Sequence, residues 1–561
     1  MNDRPLLTGG LCFLLIALLL VGLPRAVEAA APPPQDSSLS AAPRHGVVWT
    51  PPSHPGPALR ALNAMHAQGV TAIRLESLPP ADTVWARADT LDLQLFVDLS
   101  VEVVPAADLE EALQQARPSL QHIQRLARSH SSLRAVGLGH GIDTSVKATC
   151  DPLRSWTQRV HEGRPSLHTY YVTPFRAVYD RCRDAVDLPL LDTRGRDAPV
   201  DRWRAWQSSG TAVGFGALGA WSTPGTPPGL KVPHSPQSQA RHLEQALSSL
   251  LAPGTENEPP VFVYRWQDES PALPPGRHYG LHDGSGTARP VAEVLSGFYT
   301  GRQRVFAFPS GTAPSRTPVG GILLSWLLVA LLAGLYARNP FVRQTIPRYF
   351  AAHGFYRDAV REGRDVGPVE NLVLLGGVGI ALGIVGALTA QIAASQPETA
   401  LILEALPSDL RAAIATGFNH PTLTGLTVGT LTVLLTLVWN GLLVLTAQLE
   451  GSFSMAQGLM LITWPCWPAL LGMLIALVAT IQPPVSSGWL GLLLLIGGGG
   501  TLLAVTIRVL RDFWHISGVS LPWVFLLLLT SPMALTLFGL ILLTTAYDLP
   551  VSLLWHLATR T

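Results

Sequence analysis

The sequence predicts two folds in series: an α/β domain of the (β/α)8 TIM-barrel type, then an all-α multi-pass transmembrane domain. Three observations predict it. The chain has 561 residues, too many for one ordinary domain. Short β-branched runs alternate with amphipathic stretches from about His45 to Phe308. From Gly320 onward, long runs of Leu, Val, Ile, Ala and Gly recur with few charges. The formal net charge is +1, so bulk charge gives neither half an attraction for nucleic acid. Nearly all the positive charge is Arg, Lys147 and Lys231 being the lysines.

Residues 1–30 read as a secretory signal. Arg4 precedes the apolar run Leu11–Val21, and Ala26-Val-Glu-Ala-Ala-Ala31 supplies small residues for cleavage. The other reading is a retained anchor, for which the apolar run is short against the roughly 20 residues a span needs. Either reading puts the next domain outside the cytoplasm. Pro32-Pro-Pro-Gln-Asp-Ser-Ser makes residues 31–44 a Pro-rich spacer.

Residues 45–310 carry eight candidate strands: Gly46–Trp49, Thr71–Glu76, Leu93–Leu99, Leu133–Gly139, His168–Val172, Val186–Leu191, Ala212–Ala217 and Val261–Trp266. Helical stretches such as Pro57–Gln68, Asp108–Ser129 and Ser238–Leu251 lie between them. Eight strands with intervening helices fit a parallel barrel. A doubly wound open sheet is the alternative, and the expected Gly-rich phosphate turn is missing.

Apolar runs of spanning length follow at 319–337, 371–393, 422–447, 457–481, 487–507 and 521–546. The first is a lone transmembrane helix and the other five make a domain over 371–546. Between them, residues 338–370 carry Arg338, Arg343, Arg348, Arg357, Arg361 and Arg364. The positive-inside rule makes that linker cytoplasmic. The barrel is then expected outside a bacterial inner membrane, in the periplasm or beyond, with the lipid bilayer as a partner. Ser395–Pro421 falls outside, while Arg508 and Arg511 mark a later inner loop. Asn339–Phe350 and Gly354–Gly363 read as an amphipathic element on the membrane surface. The spans from 371 are almost free of charge until Arg508, which favours a packing scaffold over a transporter. Protein partners are not legible.

Several barrel segments carry a family likeness. Met65-His-Ala-Gln-Gly-Val-Thr-Ala-Ile-Arg-Leu has an Arg, Arg74, closing the second strand. Leu95-Phe-Val-Asp-Leu gives the third strand and Ser132-Leu-Arg-Ala-Val-Gly-Leu-Gly-His-Gly the fourth. Tyr264-Arg-Trp266 gives the eighth, and Tyr279-Gly-Leu-His-Asp-Gly with Arg289-Pro-Val-Ala-Glu-Val the run-out. Together they resemble the (β/α)8 catalytic domain of β-galactosidase/β-glucuronidase-type glycoside hydrolases. The later spans weakly resemble the Yip-type five-span membrane family, through Glu450-Gly-Ser-Phe-Ser-Met and the prolines of Trp464-Pro-Cys-Trp-Pro468.

The glycosidase likeness implies two catalytic Glu residues, one ending strand four and one ending strand seven. Retaining hydrolysis needs both carboxyls, about 5 Å apart. Here Gly141 and Ala217 stand at those places, and no Asp or Glu lies within 205–224. The expected barrel is therefore non-catalytic. It binds a glycan or acts as a scaffold. The alternative is an active hydrolase using displaced acids from among Glu76, Asp98, Glu102, Asp143, Asp192 and Asp268, whose other reading is helix capping or pairing with rim arginines. Asp98 and Arg74 close neighbouring strands and are expected to meet.

Candidate glycan contacts are Trp49, Tyr171, Trp221 and Trp266 for stacking, with Arg74, Asp98 and His140 for hydroxyls. The aromatics read equally as filling of the barrel mouth. No cofactor is expected, and no His/Cys cluster has metal spacing. Cys150 and Cys182 form an even pair in an exported domain, readable as a disulfide or as two buried thiols. Cys182 is expected in a helix after strand five.

Overall fold

The computed structural model describes residues 45–561 except 80, 253–258, 270–275, 313–318, 365, 450, 452 and 482–486, and leaves out the side chains of 319, 479–481 and 487–496 as well. The expected signal and spacer, residues 1–44, lie outside the described residues.

Eight parallel strands close into a barrel: β1 (Gly46–Trp49), β2 (Ala72–Leu75), β3 (Gln94–Asp98), β4 (Leu133–His140), β5 (His168–Thr173), β6 (Leu188–Asp192), β7 (Gly214–Leu218) and β8 (Val261–Val263). Closure is made by β1 beside β8, with Gly46 opposite Phe262 and Val47 opposite Val263. The helices are α1 (Pro55–Ala67), α2 (Asp82–Thr90), α3 (Leu109–Gln115), α4 (Arg117–Ser129), α5 (Cys150–Gly163), α6 (Pro199–Gln207), α7 (Pro236–Leu250) and α8 (Pro290–Tyr299). Outward strand residues such as Val47, Ile73, Leu95 and Val136 pack against apolar helix faces, among them Leu62, Val84, Ile123 and Leu153, in one continuous core. Burial on that scale is what holds the ring of helices to the barrel.

Two expectations are corrected. The single helix over 108–129 is two helices, because Pro118 has no N–H to continue the ladder. The β5–β6 connection holds no α-helix among its described residues. Cys182 sits in an irregular loop just before the 3-10 turn Arg183–Ala185.

The second half is helical: α9 (Val319–Arg338), α10 (Pro340–Ala351), α11 (His353–Arg361), α12 (Pro368–Ser395), α13 (Pro397–Glu404), α14 (Ser408–Asn419), α15 (Pro421–Gln448), α16 (Met455–Thr463), α17 (Pro468–Ile481), α18 (Ser487–Ser517), α19 (Leu521–Leu529), α20 (Pro532–Ala546) and α21 (Val551–Thr559). Among the described residues four helical stretches are long and apolar enough to cross a membrane, and a fifth if α19 and α20, bent by 51°, count as one span. The run read at 487–507 falls on α18, some of whose side chains lie outside the described residues. Arg508 and Arg511, expected in a loop, are on α18, which continues to Ser517.

The bundle is glued by small residues. Gly379 and Gly383 of α12 face Gly425 and Gly429 of α15. A Cβ added at Gly383 would lie 2.8 Å from the Gly425 carbonyl oxygen, and one at Gly429 would lie 2.6 Å from that of Gly379. Close approach of two backbones at paired small-xxx-small motifs is how helices associate where water supplies no driving force. Residues of the expected amphipathic linker are packed into the bundle: Val342, Tyr349, Tyr356 and Val360 join Trp439, Leu461 and Phe513 in a core.

Candidate functional site

The barrel interior is wired by one cation. Arg74 is fully buried and leans inward from β2. Its Nη2 donates to Asp98 Oδ2 at 2.6 Å, its Nη1 to the Gly216 carbonyl at 2.9 Å, and Tyr170 Oη donates to Asp98 Oδ1 at 2.6 Å. Glycine is required around this network: a Cβ on Gly137 would lie 2.4 Å from Asp98 Oδ1. Arg74 and Asp98 meet as the sequence implies, but they satisfy each other. Asp98 is spent as a counter-ion.

At the end of β4 the backbone turns left-handed. Gly141 has φ of +65° and donates its N–H to the Val172 carbonyl at 2.9 Å. A side-chain-bearing residue is strained in that conformation. The preceding His140 reaches Asp192 Oδ2 through Nε2 at 3.1 Å. Arg194 donates to the same carboxylate from Nη2 at 2.7 Å and then to Glu404 of α13, from Nη1 at 3.0 Å and Nη2 at 3.1 Å. Burial opposes ionisation of Asp192, but Arg194 and His140 outweigh it and hold the carboxyl well below the usual range.

The helical half therefore enters the barrel mouth. Arg196 pairs with Glu398 of α13, and Arg277 donates to the Gln396 carbonyl at 2.7 Å. From α21, His556 meets Asp143 Oδ2 at 2.8 Å and Arg560 donates to Ser145 Oγ at 3.1 Å. Val103 and Phe175 of the barrel pack with Leu401, Leu553 and Leu557. A gap of about 10 Å³ remains between Asp192, Arg194, Arg196, Pro397, Ala400 and Leu401. That is about the room one water occupies.

The side of the mouth formed by β1, β2 and β8 carries its own pairs. Arg265 bridges Glu76 and Glu269, the latter at 2.8 Å. Burial would raise the Glu76 pKa, but Arg265 and Arg74 bring it down to about 2. Of the six rim acids, Glu76, Asp98, Asp192 and Asp268 are paired with arginines and Asp143 meets His556. Glu102 has no side-chain partner among the described residues. It is exposed, and its backbone bridges to His140. Packing around its carboxyl raises its pKa, His140 opposes this, and Glu76, Glu404 and Asp98 add to it.

The remaining expected residues are buried. Ala217 is inaccessible on β7, its carbonyl accepting from Thr193 N at 2.9 Å. Trp49, Tyr171, Trp221 and Trp266 are 3%, 0%, 6% and 4% exposed, which leaves little ring face for a sugar. Tyr171 donates to Asp180 at 2.9 Å. Trp221 stacks on His234 at 4.4 Å and lies 4.3 Å from the Arg277 guanidinium carbon. Cys150 and Cys182 are disulfide-bonded, with Cα atoms 4.8 Å apart. Sequence reading missed Arg194, Arg196, Arg265, Arg277, Glu398 and Glu404. Their one advance signal was the three acids Glu398, Glu404 and Asp409 in the segment 395–421 between spans.

No protein-family model matches the chain, and no curated protein matches it. Among solved structures, it is similar to a GH2 β-galacturonidase from Eisenbergiella tayi (15% identity, TM-score 0.42, 47% of this chain and 52% of that one). It is also similar to a β-glucuronidase from an uncultured Clostridium sp. (11%, 0.41, 46% and 50%). A third is the β-D-glucuronidase of Dictyoglomus thermophilum (11%, 0.40, 47% and 51%). The chain spans about half the length of these structures. Likeness at this level says nothing of activity.

Proposed function

We propose that this protein is a membrane-anchored, non-catalytic, glycosidase-like envelope protein whose barrel serves as a scaffold. The mouth, where a hydrolase would hold its sugar, is used to grip the protein's own helical half. The observation that carries this reading is the Arg194 fork, shared between Asp192 of the barrel and Glu404 of α13. The left-handed Gly141 and the buried Ala217 support it, since neither place offers a proton donor or nucleophile. The buried aromatics favour a scaffold over a glycan-binding role.

The placement follows by parity. Segments 396–419 and 547–561 both meet the barrel mouth, and each is separated from the Arg-rich segment 338–364 by spans. His353 of that segment meets Asp512 near the end of α18 at 2.9 Å, so those two ends share a side. The excess arginine supports reading that side as cytoplasmic and the barrel side as periplasmic. A phosphatase fused after Ser310 is expected to be active and one fused near Gly363 inactive; the reverse pattern overturns the topology.

One observation favours a second reading. Glu102 is the rim carboxyl without a counter-ion, and its environment raises its pKa while that of Glu76 is lowered. Environments that separate two carboxyl pKa values are how a general acid and a nucleophile are assigned. The purified full chain is expected to leave aryl β-glucuronides, β-galacturonides and β-galactosides intact. Turnover abolished by both Glu102→Gln and Glu76→Gln would replace the scaffold reading with hydrolysis by displaced acids.

A further inference from the structure

Where the barrel helices meet the bundle lies a half-open cavity of about 2740 Å³, with Leu431 and Ile475 of its lining exposed. Sites for drug-sized ligands run to about 300–1,000 Å³, so this one is several-fold larger. Its lining divides by chemistry. The barrel wall presents Arg176, Arg196, Arg202, Trp221 and His242. The opposite wall is hydrocarbon: Leu382 and Val385 of α12, Leu431 and Leu435 of α15, Ile475 of α17 and Leu502 of α18.

The barrel wall holds buried polar atoms that its neighbours leave unpaired. Three guanidiniums line it beside Glu398, Asp197 and Thr561, and Arg176 Nε donates to the Thr561 main-chain oxygen at 3.1 Å. Arg196 uses Nη1 on Glu398, and its Nη2 is buried with no hydrogen-bond partner. His242 Nε2 is likewise buried and unpaired. Arg202 donates Nη2 to the Pro174 carbonyl at 2.9 Å. Burial, then Arg196 and Arg176, push its pKa down to about 9, so it stays charged at neutral pH while disfavoured by like charges. Buried donors without acceptors are costly, and guanidinium groups match the oxygens of a phosphate. The apolar wall lies on helices long enough to span a bilayer, where hydrocarbon fills a gap at no penalty.

We propose that this cavity binds a membrane lipid with an anionic phosphate headgroup. The phosphate sits among Arg196, Arg202 and Arg176, and the chains lie between α12, α15, α17 and α18. The proposal rests on the bundle spanning a bilayer and is independent of whether the barrel is catalytic.

The test uses the full chain in detergent micelles with fluorescent dioleoyl-phosphatidylglycerol as probe. Dioleoyl-phosphatidylcholine is the neutral-headgroup comparison, and inorganic phosphate is the competitor. Saturable phosphatidylglycerol binding is expected, at least tenfold tighter than phosphatidylcholine and undisturbed by millimolar phosphate. Arg202→Gln should weaken it at least tenfold. Gly472→Phe should also abolish it, by filling the apolar end while leaving every arginine in place. A Cβ at Gly472, which lines the cavity, meets open space, so this variant tests the site without disturbing a packed contact. Equal binding of the two lipids, no saturable binding, binding untouched by Gly472→Phe, or full displacement by inorganic phosphate would each overturn the proposal. Glycoside turnover, measured separately, leaves it standing.

Discussion

On one side of the barrel mouth Arg194 and Arg196 reach carboxylates 210 and 202 residues away, in the helical half. On the other side Arg265 is satisfied by Glu76 and Glu269 of the barrel itself. On the capped side the Arg194, Asp192 and Glu404 side chains are 6%, 2% and 22% exposed; on the other, Arg265, Glu76 and Glu269 are 10%, 14% and 45% exposed. The difference teaches where the two halves depend on each other. The open side is complete within the barrel. The capped side holds its charges out of water only while α13 and α21 are docked.

Arg194→Met cuts deepest into that contrast. It strands Asp192 and Glu404 without their shared cation, and breaking a buried pair in this way costs about 3–5 kcal/mol. Arg265→Met should cost less, about 1.5–3 kcal/mol, because Glu269 can rehydrate. Denaturant unfolding of the full chain in detergent ranks the two. Limited proteolysis between residues 396 and 421 should accelerate in the first variant and not the second. Equal losses, or cleavage in both, would erase the distinction between the sides.

The smallest effect comes from Glu102, and its sign is informative. Its folded pKa is raised, so its ionisation opposes folding as pH climbs above the unfolded value of about 4.3. Glu102→Gln should therefore raise the unfolding midpoint slightly at pH 7 and leave it unchanged near pH 4. Glu76 runs the other way: its folded pKa of about 2 gives stability above the unfolded value that is lost as pH falls. A Glu102→Gln variant less stable than the parent at pH 7 would show that the carboxylate has a stabilising partner.

The barrel was legible because its signal is local. Runs such as Val261–Val263 and Leu95–Val97 are apolar on both faces and punctuated by turns, so all eight strands register in the chain. Arg74 meeting Asp98 was legible for the same reason, since both end neighbouring strands. The capped side was not legible. Nothing in the period of residues 397–404 says that Glu398 and Glu404 will find arginines two hundred residues earlier; docking of two finished units decides it. The β5–β6 loop was misread because Arg176–Asp184 has helical composition, yet its backbone is held by Asp180, which accepts from Thr144, Tyr171 and the Cys182 N–H.

The polarity of the joint also sets an order of assembly. Synthesis delivers residues 45–310 first, then α13, and α21 much later, and domains fold as units in that order. Until the late helices arrive, Asp143, Asp192 and Arg194 are hydrated charges rather than a bare apolar face. A barrel waiting in that state stays soluble, where a greasy docking surface of the same area would recruit neighbouring nascent chains. Asp143 gains its His556 partner only once the helix at 551–559 has docked, so that contact marks the joining of the two halves.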